Sequence, residues 1–308
     1  MMRAFTLDSF DTQPALRQDL PDPAIAADEL LVRVRASSVN GADVAIAGGV
    51  LREMAEHEFP VILGRDFAGV VEGVGDGVGS YRVGDEVFGF LLHANPTVHD
   101  GSWTELISVP EDNFVAGKPR SLDMAQAAAA PLAAITALAA LDAIAPVEGE
   151  TVLVIGAAGG VGSFFVQLAA STRAHVLAPG LPEDADYLRE LGAAEILDRN
   201  ADLETTIHET YPDGVDAILD VVSFTPQDSL LEESGRLASP LGAAGDGRGR
   251  FNLVAQPTPE NLRRLAELLD EGTLHVPIQS SYELAEAGEA LAAFQSTHTQ
   301  GKLSIAIR

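Results

Sequence analysis

Apolar residues follow two rhythms along this chain. From the N-terminus to about Pro119 they come in short runs divided by glycine-rich turns. Leu30-Leu-Val-Arg-Val-Arg35 alternates imperfectly, as a half-buried strand does, and Gly64-Arg-Asp-Phe-Ala-Gly-Val-Val-Glu-Gly73 and Gly84-Asp-Glu-Val-Phe-Gly89 add further strands. Many short strands, with a turn about every eight to twelve residues, predict a closed or nearly closed β structure.

After Arg120 the period lengthens. Helices are predicted over 122–130 and 132–144, followed by strand 151–155, helix 160–172 and strand 174–178. Helix 183–191, strand 194–197, helix 202–211, strand 215–221, helix 226–233 and strand 235–241 continue the series, and Pro259 to Asp270 reads as one more helix. Strand and helix in alternation build a parallel sheet covered on both faces. From Leu274 onward strand-like pieces return around a helix near 283–295 and end in Lys302-Leu-Ser-Ile-Ala-Ile-Arg308, which is read as completing the first domain. The expected fold class is α/β, a β-rich domain plus a doubly wound parallel-sheet domain.

The most informative stretch is Thr151-Val-Leu-Val-Ile-Gly156-Ala-Ala-Gly159-Gly160-Val161-Gly162, continued by Ser-Phe-Phe-Val-Gln-Leu-Ala-Ala170. A buried strand runs into glycines, and an amphipathic helix begins at once. The first N–H groups of a helix have no acceptor within it and lie at the positive end of its dipole. A diphosphate can sit there if no Cβ blocks its approach. Gly156, Ala158, Gly159, Gly160, Val161 and Gly162 are therefore the candidate phosphate-binding residues. A turn that merely reverses the chain is the alternative, and the flanking strand and helix favour the dinucleotide.

A chain of 308 residues is long enough for two cores. A net charge of −27 argues against nucleic acid or an anionic membrane as partner. The same charge obliges any anionic cofactor to be held by local cations and oriented N–H groups. With no cysteine, the chain has no disulfide, no thiolate nucleophile and no cysteine-held structural zinc. Ala127 to Leu141 is apolar but alanine-rich, interrupted by Pro131 and stopped by Asp142, which suits a buried helix better than a membrane span. The N-terminus carries no apolar leader pattern, so the expected location is cytoplasmic.

Several segments, in order and spacing, resemble the zinc-free quinone oxidoreductase branch of the medium-chain dehydrogenase/reductase superfamily. They are Ser37-Ser-Val-Asn40-Gly-Ala-Asp43, Pro60-Val-Ile-Leu-Gly64-Arg-Asp66-Phe-Ala-Gly-Val-Val-Glu-Gly-Val-Gly75, Val83-Gly-Asp-Glu-Val-Phe-Gly89 and Gly101-Ser-Trp-Thr-Glu105. The glycine turn, Leu191-Gly-Ala193, Gly235-Arg236 and Gly301-Lys302-Leu303 complete the set. The resemblance spans essentially the whole chain. It implies a GroES-like catalytic domain over 1–119 and 273–308, an inserted Rossmann domain over 120–272, an active site in the cleft, NAD(P)H-dependent reduction, and a homodimer.

Zinc-dependent relatives place Cys where Asn40 stands and Gly-His-Glu at Gly64-Arg65-Asp66. An arginine does not give up its proton to become a ligand, so no zinc site of that type is expected. His93 and His99 flank a loop and do not read as a ligand pair. Without a Lewis acid a carbonyl must be activated by hydrogen bonds, which suits quinones and α,β-unsaturated carbonyls better than simple alcohols.

The resemblance makes Asn40 a site residue near the nicotinamide or the substrate oxygen, although an Asn can equally satisfy a turn backbone. Arg65 is placed with it, pairing with Asp66 or Asp43, and Asp43 is read as structural. Thr136 lies in a segment resembling the family helix beneath the nicotinamide; bonding back to its own turn is the alternative. Val222, Ser223, Leu241 and Gly242 follow strand ends and are expected to line the nicotinamide ribose.

The second strand ends His175-Val-Leu-Ala-Pro179-Gly180-Leu181, and no acid follows until Glu183. An NAD-preferring site has an acid at that strand end for the ribose 2′-OH, so NADPH is expected over NADH. No cation occupies 174–188, which leaves Lys302 or Arg199 to reach a 2′-phosphate from elsewhere, beside Pro179 and Gly180. Val50 is aliphatic where many quinone reductases carry a tyrosine. The expected function is NADPH-dependent hydride transfer to a quinone or activated enone, a small-molecule electrophile. The alternatives are a 2-enoyl thioester or alkenal reductase on the same scaffold, and a non-catalytic, crystallin-like NADPH-binding protein.

Overall fold

The computed structural model of the protein describes residues 1–91, 97–98 and 100–308; His93 and His99 lie outside the described residues. In chain order the strands are β1 (Met2–Leu7), β2 (Ala15–Leu20), β3 (Glu29–Ser38), β4 (Glu56–His57), β5 (Val61–Ile62), β6 (Asp66–Val74), β7 (Glu86–Phe90), β8 (Thr97–Val98) and β9 (Leu106–Pro110). They continue with β10 (Val115–Gly117), β11 (Thr151–Ile155), β12 (His175–Gly180), β13 (Glu195–Asp198), β14 (Val215–Asp220), β15 (Leu231–Ser239), β16 (Arg250–Asn252), β17 (Ile278–Glu283) and β18 (Lys302–Ala306). The α-helices are α1 (Gly41–Ala47), α2 (Met124–Ala129), α3 (Pro131–Ile144), α4 (Gly160–Ser171), α5 (Ala185–Glu190), α6 (Leu203–Thr210), α7 (Pro259–Asp270) and α8 (Ala287–Ser296). None of the described helices is long and apolar enough to cross a membrane.

The chain divides into two compact units. The first comprises Met1–Leu132, Gln256–Glu271 and Ile278–Arg308. Its main sheet runs β10-β7-β6-β3-β18-β17, with β9 also paired to β3. The inward residues Val32, Val34, Phe67, Val71, Val87 and Trp103 close a core with Leu303 and Ile305 from the chain's far end. β18 therefore completes this unit as the C-terminal pattern predicts, antiparallel to β3 with Ser304 opposite Ser38. Helix α7 packs on β10 and belongs here too, burying Leu262, Leu265 and Leu269, although the sequence placed it with the inserted domain.

The second unit comprises Ala133–Ala255 and Gly272–Pro277. It is built on a sheet in the order β13-β12-β11-β14-β15-β16, parallel at every neighbouring pair. Val152, Leu153 and Val154 are fully buried, which explains why the central strand reads as an unbroken apolar run. The chain lays β12 and β13 to one side of β11, then crosses to place β14 on the other. Ligands of open α/β sheets bind beyond the strand C-termini at such a reversal.

One predicted element does not form. In place of a helix over 226–233 there is a single 3-10 turn at Asp228–Leu230, and β15 begins at Leu231. Both Leu230 and Leu231 are drawn into the core under the sheet with Ile207, Val215 and Ile218, and pairing of Leu231 with Val215 takes the segment into strand. Pro226, which has no N–H to give, stands just before it.

Candidate active site

In the second unit the glycine turn joins β11 to α4. Gly156 has φ +90, and a Cβ there would stand 2.6 Å from Val221 Cγ2. A Cβ on Gly162 would lie 2.1 Å from the Gly156 carbonyl oxygen and 2.7 Å from Ala157 Cα, so these two glycines shape the turn itself. Gly159 differs. It is the N-cap of α4 in extended conformation, and its Cβ would meet only the Gly156 oxygen, at an ordinary 3.5 Å. Gly160, Val161 and Gly162 then form the first turn of α4, where N–H groups have no acceptor within the helix. Ala158 is buried just before it. The turn fits a diphosphate: clearance at Gly159 and oriented donors at the helix start.

The neighbouring strand ends supply the other predicted residues, with two changes of role. The N–H groups of Val222 and Ser223 are not open donors, because each is bonded to Asp220 Oδ1 at 2.9 Å. Asp220 is buried at the end of β14, beside Ile155 of β11, and its Oδ2 makes no hydrogen bond among the described residues. Sequence reasoning passed over Asp220; its signal was an acid closing an apolar strand just before a turn. Gly180 is small for packing, since a Cβ would lie 2.7 Å from Leu188 Cδ1 of α5. Pro179 is buried beside it in β12. Arg199 is exposed and donates its backbone N–H to the Gly180 carbonyl (3.1 Å), which puts this cation at the end of the second strand. Asp184 is turned inward, accepting the Leu181 N–H at 2.8 Å. Leu241 and Gly242 follow β15, the former with its N–H on Ser239 Oγ (3.1 Å), and Thr136 is buried on α3.

The first unit gathers a buried polar cluster where β3, α1, β6 and β18 meet. Asn40 is the N-cap of α1, and its backbone N–H donates to Asp43 Oδ2 at 2.8 Å. Its side chain faces the other way: Nδ2 donates to Asp66 Oδ2 (2.8 Å) and Oδ1 accepts from Lys302 Nζ (2.5 Å). Asp66 is the hub, with Oδ2 also accepting from Ser38 Oγ (2.6 Å) and Oδ1 accepting the Leu132 N–H (2.8 Å). Ser37 and Ser102 hydroxyls donate to its carbonyl, and Trp103 Nε1 donates to the Ser38 carbonyl at 3.2 Å. Arg65 donates to the Ile62 carbonyl (3.0 Å) and faces Asp43 Oδ1 at 3.8 Å.

Lys302 corrects an expectation. Its ammonium does not extend toward a cofactor phosphate; it is 3% exposed and held by the Val39 carbonyl (3.0 Å), Asn40 Oδ1 and Asp66 Oδ2 (3.5 Å). The register of β18 on β3, continued by two residues, sets Lys302 opposite Asn40. Burial pulls the Lys302 ammonium below its ordinary range, against the raising effect of Asp66 and Asp43. Burial also pushes the Asp43 carboxyl up to about 7, with Arg65 opposing. No group of three or more His, Cys, Asp or Glu residues forms a metal-ligand set among the described residues. The donor set does not fit zinc: Lys302 takes the amide oxygen of Asn40, and Arg65 brings a second cation.

The second unit carries a parallel sheet with a glycine turn at its switch point, and the first unit is β-rich and holds a buried polar cluster; a chain with both units has the fold of a nicotinamide-dependent oxidoreductase. Residues 26–120 match the alcohol dehydrogenase GroES-like domain, and residues 191–305 match the zinc-binding dehydrogenase domain. The chloroplastic quinone-oxidoreductase homolog of Spinacia oleracea is 30% identical, over 93% of this chain and 91% of that protein. The chloroplastic NADPH-dependent alkenal/one oxidoreductase of Arabidopsis thaliana is 28% identical, over 94% of this chain and 75% of that protein. Among solved structures, the quinone oxidoreductase from Coxiella burnetii superposes with a TM-score of 0.89 at 29% identity, covering 100% of this chain and 99% of that one. The chain belongs to the medium-chain dehydrogenase/reductase superfamily, among its quinone oxidoreductase-like members.

Proposed function

We propose that the protein is a zinc-independent, NADPH-dependent reductase of quinones or activated α,β-unsaturated carbonyls. The observation that carries this reading is the chemistry at Asn40. Two cations, Lys302 and Arg65, stand where a metal would need neutral or anionic donors, and the amide keeps one Nδ2 hydrogen beyond the one given to Asp66. A bound reduced nicotinamide nucleotide would supply the hydride. With hydride added to the conjugated carbon, the π electrons would move onto the carbonyl oxygen, where the Asn40 Nδ2–H would donate to the developing charge, and solvent would supply the proton.

NADPH is favoured by Arg199 at the end of the second strand and by the inward turn of Asp184, which is already engaged by the Leu181 N–H. The alkenal/one reading draws on Val50, which is 67% exposed and aliphatic and offers no ring for a quinone to stack on. A homodimer is proposed with either substrate. The experiment is steady-state NADPH oxidation with 1,4-naphthoquinone and with trans-2-hexenal, on protein assayed for bound zinc. Turnover of at least one acceptor by zinc-free protein is expected, and Asn40→Ala lowers kcat by about a hundredfold, the usual cost of losing an oxyanion donor. Nucleotide binding without oxidation by any quinone or enone would remove the proposal.

A further inference from the structure

Asn40 is gripped at both ends of its amide by opposite charges. A lysine ammonium only donates and an ionised carboxylate only accepts, so the two neighbours dictate which way the amide lies. The flipped amide would set NH₂ against the Lys302 ammonium and C=O against the Asp66 carboxylate. The ammonium has three hydrogens and three acceptors around it: the Val39 carbonyl, Asn40 Oδ1 and Asp66 Oδ2. Asp66 accepts from Ser38 and Asn40 at Oδ2 and from the Leu132 N–H at Oδ1. The Lys302 ammonium therefore has no hydrogen left over for a ligand. Lys302 and Asp66 are both buried more deeply than Asn40 itself, at 3% and 0% against 7%.

We propose that Lys302 is a positioning residue that locks the Asn40 amide with its oxygen inward, so that the group offered to a ligand is an N–H donor and the ligand class is one presenting a carbonyl oxygen. This rests on the reading of Asn40 as the residue that meets the substrate oxygen. The ammonium does more than orient. By polarising the amide C=O it strengthens the N–H at the opposite end, as successive hydrogen bonds do in a dry interior. Neither contribution comes from the residues adjacent to Asn40 in the chain, because Lys302 lies 262 positions away.

The test uses the whole protein labelled with 15N at asparagine, of which there are six. Asn40→Ser identifies the Asn40 amide signal by its loss. In the wild type one Asn40 amide hydrogen, bonded to Asp66, is expected to exchange slowly with solvent and the other to shift when cyclohexanone and NADP⁺ are added. Asn40 hydrogens that both exchange as fast as those of exposed Asn200 would overturn the lock without any variant. In Lys302→Met the Asn40 signal is expected to move and kcat to fall about thirtyfold with little change in the nucleotide Kd, in line with the cost of a misplaced catalytic group. Lys302→Gln, which keeps a donor facing Asn40 Oδ1, is expected to recover most of that loss. Wild-type kcat in Lys302→Met, with Asn40→Ala impaired, overturns the positioning role alone. Wild-type kcat in Asn40→Ala overturns the reading on which it rests.

Discussion

Arg65 Nε faces Asp43 Oδ1 at 3.8 Å, and both side chains are almost wholly buried, at 2% and 0% exposed. This is attraction across a gap wider than a hydrogen bond, in surroundings where each ion has given up its water. Removing one partner of such a pair is costlier than the pair itself is favourable. Arg65→Met is expected to destabilise the protein by about 3–5 kcal/mol at pH 8. The loss should shrink at pH 5, where Asp43 is neutral. Urea denaturation at the two pH values measures both, and an equal loss at each would contradict the account.

The same carboxyl sets a pH dependence. Its pKa is about 7 in the folded protein against an ordinary 3.8, because burial outweighs Arg65. Between those values the folded state holds a proton that the unfolded state has released, so Asp43 makes stability fall as pH rises from about 4 to about 7 and stay level above. The difference in stability between wild type and Asp43→Asn, followed by urea titration across that window, should show this slope. A flat difference would mean that the carboxyl stays ionised throughout.

The glycine turn separates packing from ligand clearance. Gly162→Ala forces a Cβ to within 2.1 Å of the Gly156 oxygen, and is expected to cost about 1–3 kcal/mol of stability along with nucleotide binding. Gly159→Ala meets nothing nearer than 3.5 Å and should fold normally, yet bind NADPH at least about tenfold more weakly if the diphosphate passes over it. Cofactor fluorescence titration beside thermal unfolding distinguishes the two.

Asp220 ties down the turn after β14 through two N–H bonds. Asp220→Ala should cost about 1–3 kcal/mol of stability by leaving those N–H groups unpaired. It should also weaken NADPH and NADH alike, because the turn, and not the 2′-phosphate, is disturbed. Unequal weakening would point to a direct role in distinguishing the nucleotides.

Arg199 makes the opposite pattern. Its exposed position at the end of the second strand predicts that Arg199→Ala raises the Kd for NADPH about tenfold, the order of one charge-assisted contact, and leaves NADH unchanged. Equal affinities for both nucleotides in the wild type would remove the basis for this preference.

Much of the protein is legible in its sequence. The run Val152 to Val154, the glycines after Ile155 and the period of α4 are local properties, set by side-chain shape and by the freedom of a backbone without Cβ, so they survive any change in what surrounds them. The same holds for α7, whose boundaries the sequence predicts to the residue. Its membership in the first unit was hidden, since that depends on which sheet covers its leucines. The segment 226–233 misled for a related reason: Leu230 and Leu231 join a core made by residues elsewhere in the unit, and burial there outweighs a weak helical pattern. The sequence places Gly180 beside the 2′-phosphate, and the structure adds a packing reason for its smallness, the close approach of Leu188. Lys302 shows the boundary best. Nothing near it in the chain distinguishes a lysine that reaches a phosphate from one buried against Asn40. That difference arises from the antiparallel register of β18 on β3, which joins residues 262 positions apart and supplies enough partners for a charge to leave water.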